Sequence, residues 1–590
     1  MTGAPVQPQI TVLDAGGQYC HLIARKVRES GVYAEVRPSD TASSELEGRK
    51  GLIISGGPSS VYEPGSPCVD PAIFRLGIPV LGICYGHQLM AHLLGGIVER
   101  GDKGEYGLAI LQHRETDPLL AGLPERHQVW MSHRDAVTVT PPGFCLLAST
   151  QTCRIAAMGD PRRRFYGVQF HPEVVHTLFG KQILENFLFP ICGCGKDWDP
   201  RGRVGELEAF IRRAAGRRNI FFFVSGGVDS AVAFNLCLRA LGARRVRGFY
   251  VDTGLMRERE TGFVRELFER LAPGSVEIVE AAPRFLAALR GVCDPERKRR
   301  IIGDEFIRIQ QEILESGHFL EGDWILGQGT IYPDTIESGG SGQAAVIKTH
   351  HNRAPGVQRL LQAGSVIEPL SSFYKDEVRQ IGRELGLPEE LLERHPFPGP
   401  GLAIRCLCAE TEGRLEQHPE GWIAPLRSVG VQGDSRSYRA VLITDEQPAP
   451  ELEARAADLV NRLARINRVV ARVAGRAPLA RLCVRPGSLT PERLERLRRA
   501  DAVVREISRR SGFDRQVWQF PVILIPLGEP GRPDSVVLRP VDSVDGMTAR
   551  VVLMEPELRE EMAAALLEIE GISSVFYDLT HKPPGTIEWE

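Results

Sequence analysis

The chain has 590 residues, 43% apolar and 25% charged, with a formal net charge of −3 at neutral pH. That length exceeds what one hydrophobic core supports and implies roughly three to five domains, while the near balance of charge gives no electrostatic case for a nucleic-acid partner. Residues 1–9 carry neither a cationic cluster nor an apolar h-region, and no apolar run approaches the ~20 residues that span a bilayer, so a cytoplasmic protein with no membrane partner is expected.

From the N-terminus, Ile10-Thr11-Val12-Leu13-Asp14 reads as a buried strand and 19–29 as an amphipathic helix. A second apolar run, 51–55, ends in the glycine turn Gly56-Gly57-Pro58. A third, 78–83, is followed by a helix over about 85–94. Strands alternating with helices indicate an α/β sheet with ligands at the carboxyl ends of its strands. Further strands are expected around Trp130 and over 165–170. The first domain is expected to close near Cys192-Gly193-Cys194-Gly195. This Cys-x-Cys pair, like Cys406/Cys408, lacks a second pair at zinc-finger spacing, and both read as reduced thiols.

From Val204 the pattern restarts: a helix, a strand over 220–224, a glycine turn, a helix over 231–241, then strands at 246–251 and 324–327. The run Pro396-Phe397-Pro398-Gly399-Pro400-Gly401 can be neither helix nor central strand. Downstream, 466–478 aligns with 572–584. Each is preceded by a helix-like stretch and, further back, by a strand-rich one at 438–443 or 550–554. Two weak copies of one α+β unit are the simplest account, with chance likeness between amphipathic segments the alternative. The expected fold class is therefore α/β, with two doubly wound α/β domains (10–195 and 200–405) followed by two α+β C-terminal lobes (406–535 and 536–590).

Gly82-Ile83-Cys84-Tyr85-Gly86 places a cysteine on a tight strand-to-helix turn, the logic of a nucleophile elbow. The helix start offers backbone N–H groups and positive dipole near the sulfur. Phe170-His171-Pro172-Glu173 supplies a base and an orienting carboxylate, and such a set performs acyl transfer. The competing reading is a buried structural cysteine and a loop histidine. Together with Ser55-Gly56-Gly57-Pro58 and Gly167-Val168-Gln169-Phe170-His171-Pro172-Glu173, the turn resembles class I glutamine amidotransferases. The resemblance implies Cys84 as nucleophile and His171 and Glu173 as its partners. It also implies Gly57 and the Tyr85 N–H as oxyanion donors, and Gln88 as a contact to the substrate glutamine. His87 stands where that family more often has methionine, and Arg134 where glycine is usual.

Ser225-Gly226-Gly227-Val228-Asp229-Ser230 also lies between a strand and a helix, so backbone donors converge on an anion. It lacks the Gly-Lys-[Ser/Thr] ending of a Walker A loop. Asp229 offers oxygen ligands for Mg2+. The turn resembles the PP-loop of enzymes that split ATP to AMP and pyrophosphate. Taken alone, Arg297-Lys298-Arg299-Arg300 reads as a solvated basic face, and the His350-His351 pair as a poor metal site. Taken with Gly327-Gln328-Gly329-Thr330, the 397–401 run and the ending Lys582-Pro583-Pro584-Gly585-Thr586-Ile587-Glu588-Trp589-Glu590, these segments resemble the glutamine-hydrolysing GMP synthetase family over nearly the whole chain.

That resemblance implies glutamine, ATP and xanthosine 5′-monophosphate (XMP) as small-molecule partners, ATP as co-substrate and Mg2+ as cofactor. ATP adenylylates XMP, and ammonia released at Cys84 displaces AMP to give GMP. It further implies Ser225, Gly226, Gly227, Val228, Asp229, Ser230 and Lys348 around ATP, with Arg299, Asp434, Gln519, Lys582 and Glu588 around XMP. Proline-rich rigidity and Trp589 argue that the tail docks. Pairing of the two C-terminal lobes within one chain implies a monomer, with a homodimer as the alternative. The rivals are another PP-loop ligase, such as an NAD+ or asparagine synthetase, and a regulatory protein that has kept both folds without the chemistry.

Overall fold

The computed structural model describes residues 7–17, 19–113, 117–337, 354–432, 435–543 and 548–590. The chain divides into two compact units, Met1–Glu206 and Leu207–Glu590. No helix among the described residues is long and apolar enough to cross a membrane.

The first unit is built on a nine-stranded sheet. Its strands are β1 (Ile10–Asp14), β2 (Ala34–Pro38), β3 (Gly51–Ile54), β4 (Val80–Ile83), β5 (Ile97–His113), β6 (Arg126–Val139), β7 (Cys145–Ser149), β8 (Ala157–Asp160) and β9 (Phe165–Val168), in the order β2-β1-β3-β4-β9-β8-β7-β5-β6. The strands from β2 to β9 in that order run parallel, and β3 and β4 are buried along their whole lengths, as a sheet covered on both faces requires. The remaining strands pair antiparallel. The sheet is thus mixed, not wholly of the parallel, doubly wound kind. Helix α1 (Cys20–Glu29) follows β1 and α2 (Tyr85–Leu93) follows β4, within one residue of the expected bounds.

The second unit begins within the helix Val204–Ala215 and continues into a five-stranded, all-parallel sheet in the order β12-β11-β10-β13-β14. These strands are β10 (Asn219–Phe223), β11 (Val246–Asp252), β12 (Val276–Glu280), β13 (Trp324–Gly327) and β14 (Val366–Ile367). Central strand β10 runs into the 225–230 turn and then helix α3 (Val228–Leu241). The 397–401 run is irregular as far as a 3-10 turn over Gly401–Ile404.

A seven-stranded sheet follows. Its strands are β15 (Glu416–His418), β16 (Gly421–Gln432), β17 (Ser435–Thr444), β18 (Ile466–Gly475), β19 (Val522–Ile525), β20 (Asp534–Leu538) and β21 (Ile572–Asp578), ordered β15-β16-β17-β18-β21-β20-β19. β16 pairs antiparallel with β17, and β17 parallel with β18. In the same way β19 pairs antiparallel with β20, and β20 parallel with β21. The copies meet at an antiparallel seam, β18 against β21. Helices Pro450–Arg462 and Pro556–Leu567 precede β18 and β21, and their apolar faces join one core through Leu452, Leu459, Met562 and Leu566.

The internal repeat is therefore present, but one of its expected strands is not where the sequence suggested. Segment 550–554 contributes only Arg550–Val551 to a separate two-stranded sheet, and β20 takes the place equivalent to β17. The expected division at 535/536 falls inside β20. β20 is short and buried throughout, so it shows no alternation of the kind that marks a half-exposed strand.

Candidate active site

Adjacency of β4 and β9 brings the first constellation together. Both strands point their carboxyl ends the same way, so residues just beyond Ile83 and Val168 become neighbours, and the Cys84 N–H donates to the Val168 carbonyl at 2.8 Å. Cys84 is the N-cap of α2 with φ 51° and ψ −105°, a conformation that costs a non-glycine residue and recurs where a side chain must be aimed. The Cys84 side chain is buried, with Sγ 3.5 Å from the Ser132 carbonyl.

His171 lies three residues past β9. Its N–H donates to the Trp130 carbonyl at 3.0 Å, and its own carbonyl accepts from Thr177 Oγ1 at 2.6 Å. His171 Nδ1 is 2.6 Å from Glu173 Oε1, with both side chains buried. Nδ1 being engaged by Glu173, Nε2 is the nitrogen left for proton exchange with a nearby thiol. Burial opposes charge on the imidazole, but the Glu173 carboxylate and Cys84 outweigh it, and the His171 pKa is raised well above the usual histidine range.

The 55–58 turn closes over this pair. A Cβ on Gly56 would stand 3.1 Å from His171 Cε1 and 3.5 Å from Cys84 Cβ, so a side chain there would crowd the imidazole. Gly57 follows on that turn. Tyr85 opens α2, where the first N–H groups lack intrahelical acceptors; the Gly86 N–H goes to the Ser55 carbonyl at 3.1 Å, and the Gln88 N–H closes the first turn on the Cys84 carbonyl at 3.2 Å. Gln88 Nε2 donates to the Asp135 carbonyl at 2.7 Å and to Gln169 Oε1 at 3.1 Å. His87 is wholly buried on the far side of the helix start, and burial, with His133 adding, pushes its pKa down to about 3.

The phosphate turn is organised by its own hydroxyls. Ser225 Oγ and Ser230 Oγ are 3.0 Å apart, the Gly227 N–H donates to Ser225 Oγ at 3.3 Å, and Ser230 Oγ donates to the Gly227 carbonyl at 3.1 Å. Gly226 has φ 74°, the left-handed conformation that reverses the chain here. Val228 begins α3, and Asp229 is in its first turn, 3.7 Å from Lys375 Nζ. Burial, offset by Lys375 and reinforced by Asp334, raises the Asp229 pKa, and Asp229 Oδ1 is buried without a hydrogen-bond partner. A carboxylate oxygen left unsatisfied beside a second acid fits a hard divalent cation such as Mg2+.

A cavity of about 1020 Å3 joins this turn to distant segments, with Arg299, Arg300, Arg394 and the 396–400 run among its walls. The four consecutive cations at 297–300 thus divide. Arg297, Arg299 and Arg300 line the cavity, whereas Lys298 is buried with its Nζ 2.5 Å from Glu590 Oε2. Arg299 donates to the main-chain oxygen of Glu590.

The other residues expected around XMP lie further off. Gln519 Nε2 donates to the Pro396 carbonyl at 2.6 Å, at the edge of the run that lines the cavity. Lys582 exchanges backbone hydrogen bonds with Ala549. The Glu588 carboxylate is taken up by Arg405, through Nη2 at 2.6 Å and Nε at 2.9 Å. Neither Lys582 nor Glu588 lines the cavity. Lys348 and Asp434 lie outside the described residues. The tail does dock: Trp589 is fully buried, and its Nε1 donates to Asp578 Oδ2 at 2.8 Å. The same oxygen accepts from Arg468 at 2.9 Å and Arg539 at 2.8 Å.

Sequence reasoning missed Lys375 and Arg394. Each is a single cation in an ordinary helical or loop context, with no motif around it. Arg394 donates to the Gly226 carbonyl at 3.3 Å, a contact separated by 168 residues, and pairs with Glu260.

Comparison with known proteins gives a consistent result. Residues 11–191 match the family described as glutamine amidotransferase class-I, and residues 506–589 that described as GMP synthase C terminal domain. The chain is 42% identical to a probable glutamine-hydrolysing GMP synthase of Leptospira interrogans, over 99% of this chain and 100% of that one. It is 40% identical to a glutamine-hydrolysing GMP synthase of Caldicellulosiruptor saccharolyticus, over 98% and 99% respectively. A GMP synthase of Parafrankia sp. is 42% identical, over 100% of this chain and 98% of the relative.

Proposed function

This chain belongs to the glutamine-hydrolysing GMP synthase family and carries out glutamine-dependent GMP synthesis, and we propose that Cys84, His171 and Glu173 release the ammonia that is spent in the cavity beside the 225–230 turn. The observation that carries this assignment is the convergence of Cys84 and the bonded His171–Glu173 pair at the ends of adjacent parallel strands, with the nucleophile on a strained turn at a helix N-terminus.

His171 Nε2 takes the thiol proton, and Cys84 Sγ attacks the side-chain amide carbon of glutamine. The oxyanion accepts from the N–H groups of Gly57 and Tyr85. His171 returns the proton to the leaving nitrogen, ammonia departs, and water guided by the same imidazole cleaves the thioester to glutamate. Glu173 keeps the imidazole in the tautomer this requires. Gln88, already tied to Asp135 and Gln169, contributes a wall to the glutamine pocket.

At the second site, the glycine turn and the first N–H groups of α3 bind the ATP phosphates, with Ser225 and Ser230 as hydroxyl donors. Asp229 would hold Mg2+, which would neutralise charge on those phosphates. The C2 oxygen of XMP attacks the α-phosphorus of ATP, pyrophosphate leaves, and ammonia displaces AMP from the adenylate. Arg299 is assigned to the XMP phosphate, and Gln519 to the neighbouring wall. Glu588 and Lys582 act from the docked tail, Glu588 by holding Arg405. Lys348 and Asp434 keep the roles that the resemblance implies. The β18–β21 seam joins the two halves of the repeat within one chain, which supports a monomer, and light scattering should return the mass of a single chain.

The assay that tests the reading is GMP formation from XMP and ATP with either glutamine or ammonium as nitrogen source. Product is expected with both. Its absence with both would overturn the assignment.

A further inference from the structure

Outside both sites, two thiols meet at the start of the helix that carries Arg299. Cys293 immediately precedes Asp294, whose side chain caps the helix Pro295–Ser316 by accepting from the Arg297 N–H at 2.9 Å. Cys408 lies more than a hundred residues later, on the segment leaving the 401–404 turn. The two sulfurs converge on one short backbone bridge. Cys293 Sγ donates to the Gly487 carbonyl at 4.0 Å, the same carbonyl that accepts from Ala409 N, the residue after Cys408. Cys408 Sγ is 4.0 Å from Arg493 Nη1 and 3.5 Å from the Cys406 carbonyl. Both residues are partly accessible.

The neighbouring Cys293, then Lys298 and Arg493, hold the Cys408 thiol below its usual range against the effect of burial, while Cys293 is pushed up. The cation beside Cys408 favours thiolate at that sulfur, which makes it the one to attack first and Cys293 the resolving partner.

We propose that Cys408 and Cys293 form a site of reversible oxidative modification that closes to a disulfide in the presence of hydrogen peroxide and slows the ammonia-consuming reaction. The Cys408 thiolate attacks one peroxide oxygen. An S–O bond forms, the O–O bond breaks, and hydroxide leaves and is protonated to water. The Cys293 sulfur, losing its proton, then attacks the Cys408 sulfenyl sulfur. The S–S bond forms and a second water leaves. Two thiols and one peroxide give one disulfide and two waters. Closure removes the anion that faces Lys298 and Arg493. It also ties the first turn of the Arg297- and Arg299-bearing helix to the 406–409 segment, so the cavity wall moves with it.

The rate effect rests on the function proposed above; formation of the bond does not. The test is peptide mapping of peroxide-treated full-length protein without reduction, alongside its ammonia-dependent rate. A Cys293–Cys408 cross-linked peptide is expected, reversed by dithiothreitol, with a severalfold fall in rate that recovers on reduction. Cys293→Ser should leave Cys408 as a sulfenic acid trapped by dimedone, and Cys408→Ser should leave Cys293 unmodified. Peroxide that oxidises other cysteines while both of these remain free thiols would overturn the site. A cross-link with an unchanged rate would overturn its coupling to the reaction. Absence of ammonia-dependent activity in the reduced protein would instead count against the function, leaving the peptide result to stand or fall alone.

Discussion

Cys84 and the 225–230 turn both follow a parallel strand of their sheets and both sit at a helix start, yet they are completed over different lengths of chain. Cys84 needs β9, the strand beside its own, and within a few residues of that strand's end it has both His171 and Glu173. The phosphate turn has internal order but no such local partners. Its walls come from helix Pro295–Ser316, from Arg394 and from the 396–400 run, and the basic helix is itself held by the last residue of the chain. A site finished by neighbouring strands tolerates change elsewhere. A site finished by a distant tail should lose function when the tail's anchors are cut.

The largest effect expected is at the local site. Glu173→Gln keeps shape but no longer stabilises the imidazolium or specifies its tautomer, so glutamine-dependent turnover should fall by about 10^3–10^4-fold, with ammonia-dependent synthesis unchanged. Equal loss of both rates would break the comparison. Next is the anchor of the tail. Asp578→Asn removes the charge that buried Arg468 and Arg539 share, and breaking such a network from one side costs about 3–5 kcal/mol. Burial alone would raise the Asp578 pKa, but Arg539 and Arg468 outweigh it and lower it. Its stabilisation is therefore present above the ordinary carboxylate range and lost as pH falls through the folded value. Urea midpoints should separate wild type from variant at pH 7 and draw together only as the pH falls below the ordinary carboxylate range.

Asp229→Asn should lower both glutamine- and ammonia-dependent synthesis by roughly 10^2-fold, an effect of the order seen when one electrostatic stabiliser is removed; a loss confined to the glutamine-dependent rate would place Asp229 in the wrong reaction. The smallest effect is at His87, buried and held neutral. Its unfolded form takes up a proton below pH ~6.5, whereas the folded form does so only near pH 3, so acid destabilises the wild type. His87→Met should gain roughly 2 kcal/mol relative to wild type between pH 7 and pH 5 in denaturant titrations; an unchanged difference would show that His87 is not held neutral.

The same contrast explains what was legible in the sequence. Cys84, His171 and Glu173 lie on short motifs at strand ends, where an apolar run and a glycine turn leave few geometries open, and the structure brings them together. The strand–turn–helix geometry at 225–230 was legible for the same reason. Arg299 could be assigned only through family resemblance, because four consecutive cations on a helix do not reveal that Lys298 is buried against Glu590 while its neighbours line a cavity. Glu588 was expected at the substrate and is bonded to Arg405, a pairing across 183 residues that periodicity does not report. The repeat was visible in its helix and last strand, where the amphipathic pattern is strong. Its β20 was missed because a strand buried along its whole length has no period to read.

The central claim is that nitrogen is released at one constellation and consumed at another. The measurement that tests it most directly is the pair of steady-state rates of Cys84→Ala with glutamine and with ammonium. The account predicts that GMP formation from glutamine is abolished while formation from ammonium, XMP and ATP stays at the wild-type rate. A folded variant that retains the glutamine-dependent rate, or loses both, would contradict it.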